Sequence, residues 1–235
     1  MDPSGTSNTN SAETKNRRPL RSRKIPIFQK LTSALVTAGV SPNGISLASI
    51  GAGVLAGVAL ASTNHIESSA VQRLTWLLAA GLIQLRLLCN MLDGMVAVEA
   101  KKFSPTGELY NEVPDRISDA ATLIGLGLAS GSSPWLGYLA ACVALLIAYV
   151  RAQGKASGAP YFFTGPMAKP HRMAAATVTC ILMAALPIKL SIGFWGPSDA
   201  WGLSAICLWI VILGGAWTTL ARLKQISQYL HGAED

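Results

Sequence analysis

The sequence predicts an all-α integral membrane protein, with six transmembrane helices preceded by an interfacial amphipathic helix. Three observations point there. Of 235 residues, 51% are hydrophobic and 13% charged, at a mean hydropathy of +0.40, whereas about a quarter of an average soluble domain is charged. Apolar runs of about twenty residues recur, which is the length that crosses a bilayer core of ~30 Å. The basic residues between those runs crowd alternate connections, as they do when one face of a membrane is cytoplasmic.

Three domains are expected: a disordered basic tail over 1–24, an interfacial helix over 25–40, and a six-helix membrane domain over 41–235. Residues 1–16 are polar and poor in bulky apolar groups, which leaves too little to bury for a fold. Net charge is +7, and much of it lies in Lys15, Arg17, Arg18, Arg21, Arg23, Lys24 and Lys30. Such a cluster beside a span meets anionic lipid at the cytoplasmic face. Nucleic acid is the rival partner for a basic run, and the adjoining spans argue against it. From Ile25 to Val40, Ile27, Phe28, Leu31, Leu35 and Val36 recur at helical spacing among polar residues, the pattern of a helix lying in the interface.

Ser41-Pro42-Asn43 breaks that helix, and the first span follows over 44–62, where Gly51, Gly53 and Gly57 permit close helix contact. The second span, 72–97, holds Gln84 and Arg86 well inside and Asn90 and Asp93 near its exit. A third runs over 109–129. Pro114 is tolerated near a first turn, so this helix is expected to begin around Glu108–Asn111. The fourth span covers 135–152, the fifth 173–193 and the sixth 200–220, ahead of a polar tail with Arg222 and Lys224. No cleavage-site pattern precedes the first apolar run, which argues against a secretory leader. Cys89, Cys142, Cys180 and Cys207 lie on four separate apolar runs without a CxxC pair, so they read as packing residues and not as zinc ligands or a disulfide framework.

Lys and Arg gather in the tail, the 2–3 and 4–5 connections and the C-terminus, while the opposite side holds Arg73 and Lys189. This asymmetry predicts a multi-pass protein of the cell inner (plasma) membrane with both termini cytoplasmic.

Functional residues concentrate between Asn90 and Asp119. Asn90 and Asp93 are three apart, and Asn111, Asp115 and Asp119 repeat every four, so each set shares one helix face. Glu112 stands beside the second set. Two helix ends offering oxygen ligands suit a hard divalent cation such as Mg²⁺. Lys155, Lys169, His171 and Arg172 on the 4–5 connection, with Arg151 just before it, form a second cluster. It reads either as an anion pocket or as an ordinary positive-inside loop. Arg86, one turn from Asn90, either faces the same cavity or serves in a structural ion pair.

At these residues the chain resembles the CDP-alcohol phosphotransferase family, whose pattern is D-x2-D-G-x2-A-R-x8-G-x3-D-x3-D. Its spacing falls on Asn90, Asp93, Gly94, Ala97, Val98, Gly107, Asn111 and Asp115, with Asn90, Val98 and Asn111 departing from it. SPNGIS, residues 41–46, also resembles the start of the family's first span. The resemblance implies transfer of a phosphatidyl group from a CDP-linked alcohol, usually CDP-diacylglycerol, to an acceptor alcohol with release of CMP. It implies two Mg²⁺ or Mn²⁺ ions held by Asn90, Asp93, Asn111 and Asp115, and a nucleotide seat at Gly94, Ala97 and Gly107. Arg86 would stand in for the missing motif Arg. Asp115 and Asp119 are the expected catalytic acids, Asp119 and Glu112 restoring charge lost at Asn90 and Asn111. Arg151, Lys169 and Arg172 are the expected substrate-binding cations, and a homodimer is the implied assembly. Two other readings stay open: a catalytically impaired relative that binds nucleotide or lipid, and a small transporter. Acids confined to helix ends on one face, without a two-half repeat, count against the transporter.

Overall fold

The structure is a computed structural model that describes residues 25–100, 107–186, 192–193 and 200–232. The 1–24 tail, the Lys101-Lys102 loop with Pro105, and Lys189 lie outside the described residues. So do the side chains of Glu108 and Asn111.

Seven helices make up nearly all of it: α1 (Pro26–Thr37), α2 (Pro42–Ser62), α3 (Ser69–Glu99), α4 (Gly107–Leu128), α5 (Pro134–Ala156), α6 (Lys169–Ala185) and α7 (Leu203–His231). One antiparallel pair of two-residue strands, β1 (Ile192–Gly193) and β2 (Ala200–Trp201), precedes α7 and was not foreseen. Proline opens several helices, at Pro26, Pro42 and Pro134, where its missing N–H costs nothing and its fixed φ is already helical. The Ser41 side chain caps α2 by accepting from Gly44 N at 3.1 Å.

The helices close into a ring. Packing runs α3–α2–α4–α5–α7–α6 and returns to α3, and α4 also touches α3, α6 and α7. Small residues let α2 and α4 approach backbone to backbone: a Cβ on Gly57 would strike the Ala121 carbonyl, and one on Gly125 the Gly57 backbone. Around that seam Leu60, Trp76, Ile83, Leu123, Leu126, Leu136, Met173 and Leu208 form one buried core. A smaller cluster of Ile45, Leu92 and Val96 receives Leu35 and Val36, docking α1 on α3. Ser33 of α1 also donates to Glu99 at 2.6 Å. Ile25, Ile27 and Leu31 stay exposed on the far side of α1.

Among the described residues four helices, α2, α3, α5 and α7, are long and apolar enough to cross a membrane, against six expected. The two that fall short do so for different reasons. α4 carries Glu108, Glu112, Asp115, Arg116 and Asp119, and α6 has 17 residues. α6 was expected to reach residue 193 but stops at Ala185. Leu186 turns extended (φ −100, ψ 136) because it precedes Pro187, and a residue before proline is pushed out of the helical region.

α4 starts at Gly107, earlier than expected, which leaves Pro114 inside the helix. That proline cannot donate to the Tyr110 carbonyl, while its own carbonyl accepts from Ser118 Oγ at 2.8 Å. The expected polar tail is helical too: α7 continues to His231 and buries Arg222, which donates to Thr164 O at 3.1 Å and Ile147 O at 3.3 Å.

Charge asymmetry then makes a direct prediction about orientation. A topology reporter after Asp235 and another within the 100–107 connection should both read cytoplasmic. An external signal at either position would overturn the expected orientation.

Candidate active site

Arg86, Asn90 and Asp93 lie at i, i+4 and i+7 on α3, so one face presents all three. Across from them α4 presents Asp115 and Asp119 at the same four-residue spacing. α6 supplies Lys169 and Arg172 from its first turn. The connection leading into α6 is pinned on α7, where Met167 N donates to Thr218 Oγ1 at 3.0 Å. Gly165, at φ +107, lies so close to Thr218 that a side chain there would collide with it.

The deepest feature is a bridge of three charges. Arg86 Nη2 donates to Asp119 Oδ1 at 2.6 Å, and Arg172 Nη2 donates to Asp119 Oδ2 at 2.8 Å. All three side chains are essentially sealed, at 0%, 1% and 2% exposure for Arg86, Arg172 and Asp119. Arg86 Nη2 also reaches the Asp115 main-chain carbonyl at 3.2 Å and Asp115 Oδ1 at 3.3 Å. Arg172 Nη1 donates to Met167 O at 2.9 Å. The contacts therefore close a circuit: Asp115, Arg86, Asp119, Arg172, the Met167 carbonyl, and back through Lys169, whose ammonium pairs with Asp115 Oδ2.

Of the readings left open for Arg86, the geometry shows an ion pair. Arg86, Asp119 and Arg172 turn toward one another, and each Asp119 oxygen already accepts from a guanidinium. Arg86 Nε and Nη1 and Arg172 Nε find no acceptor among the described residues, so the circuit keeps surplus positive donors.

Nearer the surface of the bundle, Asp93 Oδ2 accepts from Ser46 Oγ of α2 at 2.7 Å. Its other oxygen, Oδ1, is buried and has no hydrogen-bond partner among the described residues. Asn90 Nδ2 approaches Asp115 Oδ2 at 3.4 Å. Among the described residues no group of three or more His, Cys, Asp or Glu side chains is gathered to hold a metal. The oxygen donors at hand are Asp93, Asp115 and the Asn90 amide, and an orphaned buried carboxylate oxygen is the kind of ligand a hard cation completes. The chemistry of the donor set fits Mg²⁺ or Mn²⁺.

Beside the turn that precedes Asp115 lies a cavity of about 380 Å³ lined by Glu112, Arg116, Tyr149, Arg151 and Tyr161 among others. Glu112 holds Arg151 at 2.6 Å and Arg116 at 3.2 Å. The Arg151 guanidinium also stacks 5.7 Å from the Tyr161 ring centroid. Lys169 and Arg172 do not line this cavity; Arg151, alone of the three expected substrate-binding cations, does. Gly94 and Ala97 are half-buried on α3, Gly107 opens α4, and Val98 and His171 face outward.

Sequence reasoning passed over Arg116, Ser46 and Tyr161. Arg116 was discoverable, being adjacent to Asp115 and four after Glu112. Nothing in the sequence pairs Ser46 with an acid 47 positions away.

The sequence profile of the CDP-alcohol phosphatidyltransferase family matches residues 39–221. The chain belongs to this family. Membership makes it a family enzyme, a multi-pass membrane transferase. Among curated proteins it is 30% identical over 171 residues to the bifunctional IPC transferase and DIPP synthase of Rubrobacter xylanophilus, covering 71% of this chain and 37% of that protein. It is 28% identical over 138 residues to the phosphatidylinositol phosphate synthase of Mycobacteroides abscessus, covering 56% of this chain and 58% of that one. The chain thus spans less than two thirds of either relative. The fold is shared with the phosphatidylinositol phosphate synthase of Mycobacterium tuberculosis at 20% identity. The TM-score is 0.66 both to its complex with manganese and citrate (85% of this chain, 88% of that one) and to its CDP-DAG-bound form (86% and 94%).

The three-charge bridge generates a stability prediction. Replacing Asp119 with Ala strips Arg172 of its carboxylate partner and leaves Arg86 with Asp115 alone, and breaking a buried pair on one side costs about 3–5 kcal/mol. Thermal unfolding of the purified variant in detergent should show a large downward shift of the midpoint. An unchanged midpoint would show that the bridge does not hold α3, α4 and α6 together.

Proposed function

We propose that this enzyme transfers a phosphatidyl (substituted phosphate) group from a CDP-linked alcohol, with CDP-diacylglycerol as the first candidate, to the hydroxyl of an acceptor alcohol, releasing CMP. This is a reaction of phospholipid synthesis. The observation that carries the reading is the gathering of Asn90, Asp93 and Asp115, with Lys169 against them, at facing positions of α3 and α4 within a family bundle. Family membership and the curated relative named as a phosphatidylinositol phosphate synthase support it.

In this reading Asn90, Asp93, Asn111 and Asp115 hold Mg²⁺ or Mn²⁺, with Asn90 and Asn111 ligating through neutral amide oxygens. A divalent ion held there would supply positive charge toward the diphosphate and the departing CMP oxygen. The chain's own groups do the rest. Gly94, Ala97 and Gly107 leave room for the nucleotide against the helices. Asp115 takes the proton of the acceptor hydroxyl as that oxygen bonds to the lipid-side phosphorus and the bond to CMP breaks. Arg151, with Arg116, faces the acceptor from the cavity, and Lys169 meets phosphate. Asp119 acts as a positioning residue: through Arg86 it sets the rotamer of Asp115, and through Arg172 the placement of Lys169. α4 and α6, held inside the ring, cross the bilayer with the other four helices, and α6 at about 26 Å is nearly long enough. The site then faces the cytoplasm, and the assembly is a homodimer, as the resemblance implies.

Incubation of the purified protein with CDP-diacylglycerol, Mn²⁺ and a panel of alcohols should release CMP and form a new lipid with one of them. Asp93→Ala and Asp115→Ala should each lower CMP release by on the order of 10²-fold or more, with the protein still inserted. CMP release absent from wild type across the panel, with nucleotide still bound, would favour the impaired, binding-only reading instead.

A further inference from the structure

Asp115 is surrounded by more positive charge than one carboxylate balances. Arg86 lies 3.3 Å from Oδ1, Arg116 lies 3.8 Å from Oδ2, and Lys169 is paired with Oδ2 as well. Two of these cations have a second acid to hold them: Arg86 pairs with Asp119 at 2.6 Å and Arg116 with Glu112 at 3.2 Å. Lys169 differs, because among the described residues Asp115 is its one ion-pair partner. Its backbone is fixed, since it opens α6 two residues after Met167, whose carbonyl Arg172 holds. Its ammonium is not, being a point charge at the end of a four-carbon stem.

The same Oδ2 that Lys169 occupies is one of the oxygens a divalent ion would take. Asn90 and Asn111, where the family motif has acids, add no charge that could hold both cations. An ammonium and a metal ion at one oxygen repel, so the two compete for it. We propose that Lys169 is the counter-ion of Asp115 in the metal-free protein and that a divalent cation displaces it there, freeing the ammonium for substrate phosphate. This rests on the reading of Asp115 as a metal ligand. Lys169 is then a positioning residue that spares Asp115 from standing as a bare buried charge between turnovers and links metal arrival to the exposure of a phosphate-binding cation.

Mn²⁺ titration of the purified full-length protein, followed by the loss of free-ion paramagnetic signal, tests the exchange. Lys169→Met removes the competing charge at similar length and should tighten Mn²⁺ binding on the order of tenfold, while Lys169→Arg stays within a few-fold of wild type. Lys169→Met protein that unfolds like wild type yet binds Mn²⁺ equally or more weakly overturns the exchange. Asp115→Asn separates this from the underlying reading: if it titrates like wild type, Asp115 is not a ligand and both fall. A second measurement needs no variant. Acetylation of Lys169 by an amine-reactive reagent, quantified by peptide mass spectrometry, should rise several-fold when wild type is saturated with Mn²⁺. Unchanged labelling at saturation overturns the proposal.

Discussion

A single carboxylate buried between two guanidinium groups organises this protein. Asp119 sits inside a bundle that lipid surrounds, where an unpaired charge is costly. It is held there by Arg86 from α3 and Arg172 from α6. A buried ion pair is weak as a source of net stability but demanding in its geometry, because removing any one member strands the others. The bridge therefore does less to strengthen the bundle than to specify it. α3, α4 and α6 must meet at one register, and that register is the one that sets Asp115 opposite Asn90 and delivers Lys169 to it. The apolar core around Leu60, Trp76 and Leu123 would tolerate a sliding helix far better than this polar circuit would.

Charge balance links the bridge to chemistry. The described residues around Asp115 place Asp93, Asp115, Asp119 and Glu112 against Arg86, Arg116, Arg151, Lys169 and Arg172. A surface rich in fixed cations suits a diphosphate, and one with an orphaned carboxylate oxygen suits a metal. Both are present within two turns of α3 and α4. Asn90 and Asn111 stand where the family pattern has acids, so the site carries fewer carboxylates than a four-acid motif would supply.

The sequence carried more of the site than of its wiring. Asn90, Asp93, Asp115 and Asp119 announce themselves because polar residues at helical spacing are costly in an apolar run. The run lengths of α2, α3 and α5 follow from hydropathy in the same way. Partnerships across the bundle are another matter. Arg86 with Asp119, Arg172 with Asp119, and Ser46 with Asp93 join residues 33, 53 and 47 positions apart, and no periodicity encodes which faces meet. Asp119 illustrates the consequence: its spacing from Asp115 could be read from the sequence, while its pairing with Arg86 and Arg172 could not. Two helix ends fall elsewhere than hydropathy places them. Pro187 ends α6 at Ala185 by turning Leu186 extended, and α7 runs on past Arg222, whose guanidinium is held by the Thr164 and Ile147 carbonyls 58 and 75 positions away.

The central claim is that the facing ends of α3 and α4 hold the catalytic metal. Diffraction collected at the manganese absorption edge, from protein crystallised with Mn²⁺, tests it most directly. The account predicts anomalous density within about 2.5 Å of Asp93 Oδ1 and an Asp115 oxygen. Manganese bound instead at Glu112 or elsewhere on the surface, with Asp93 and Asp115 unligated, would contradict it.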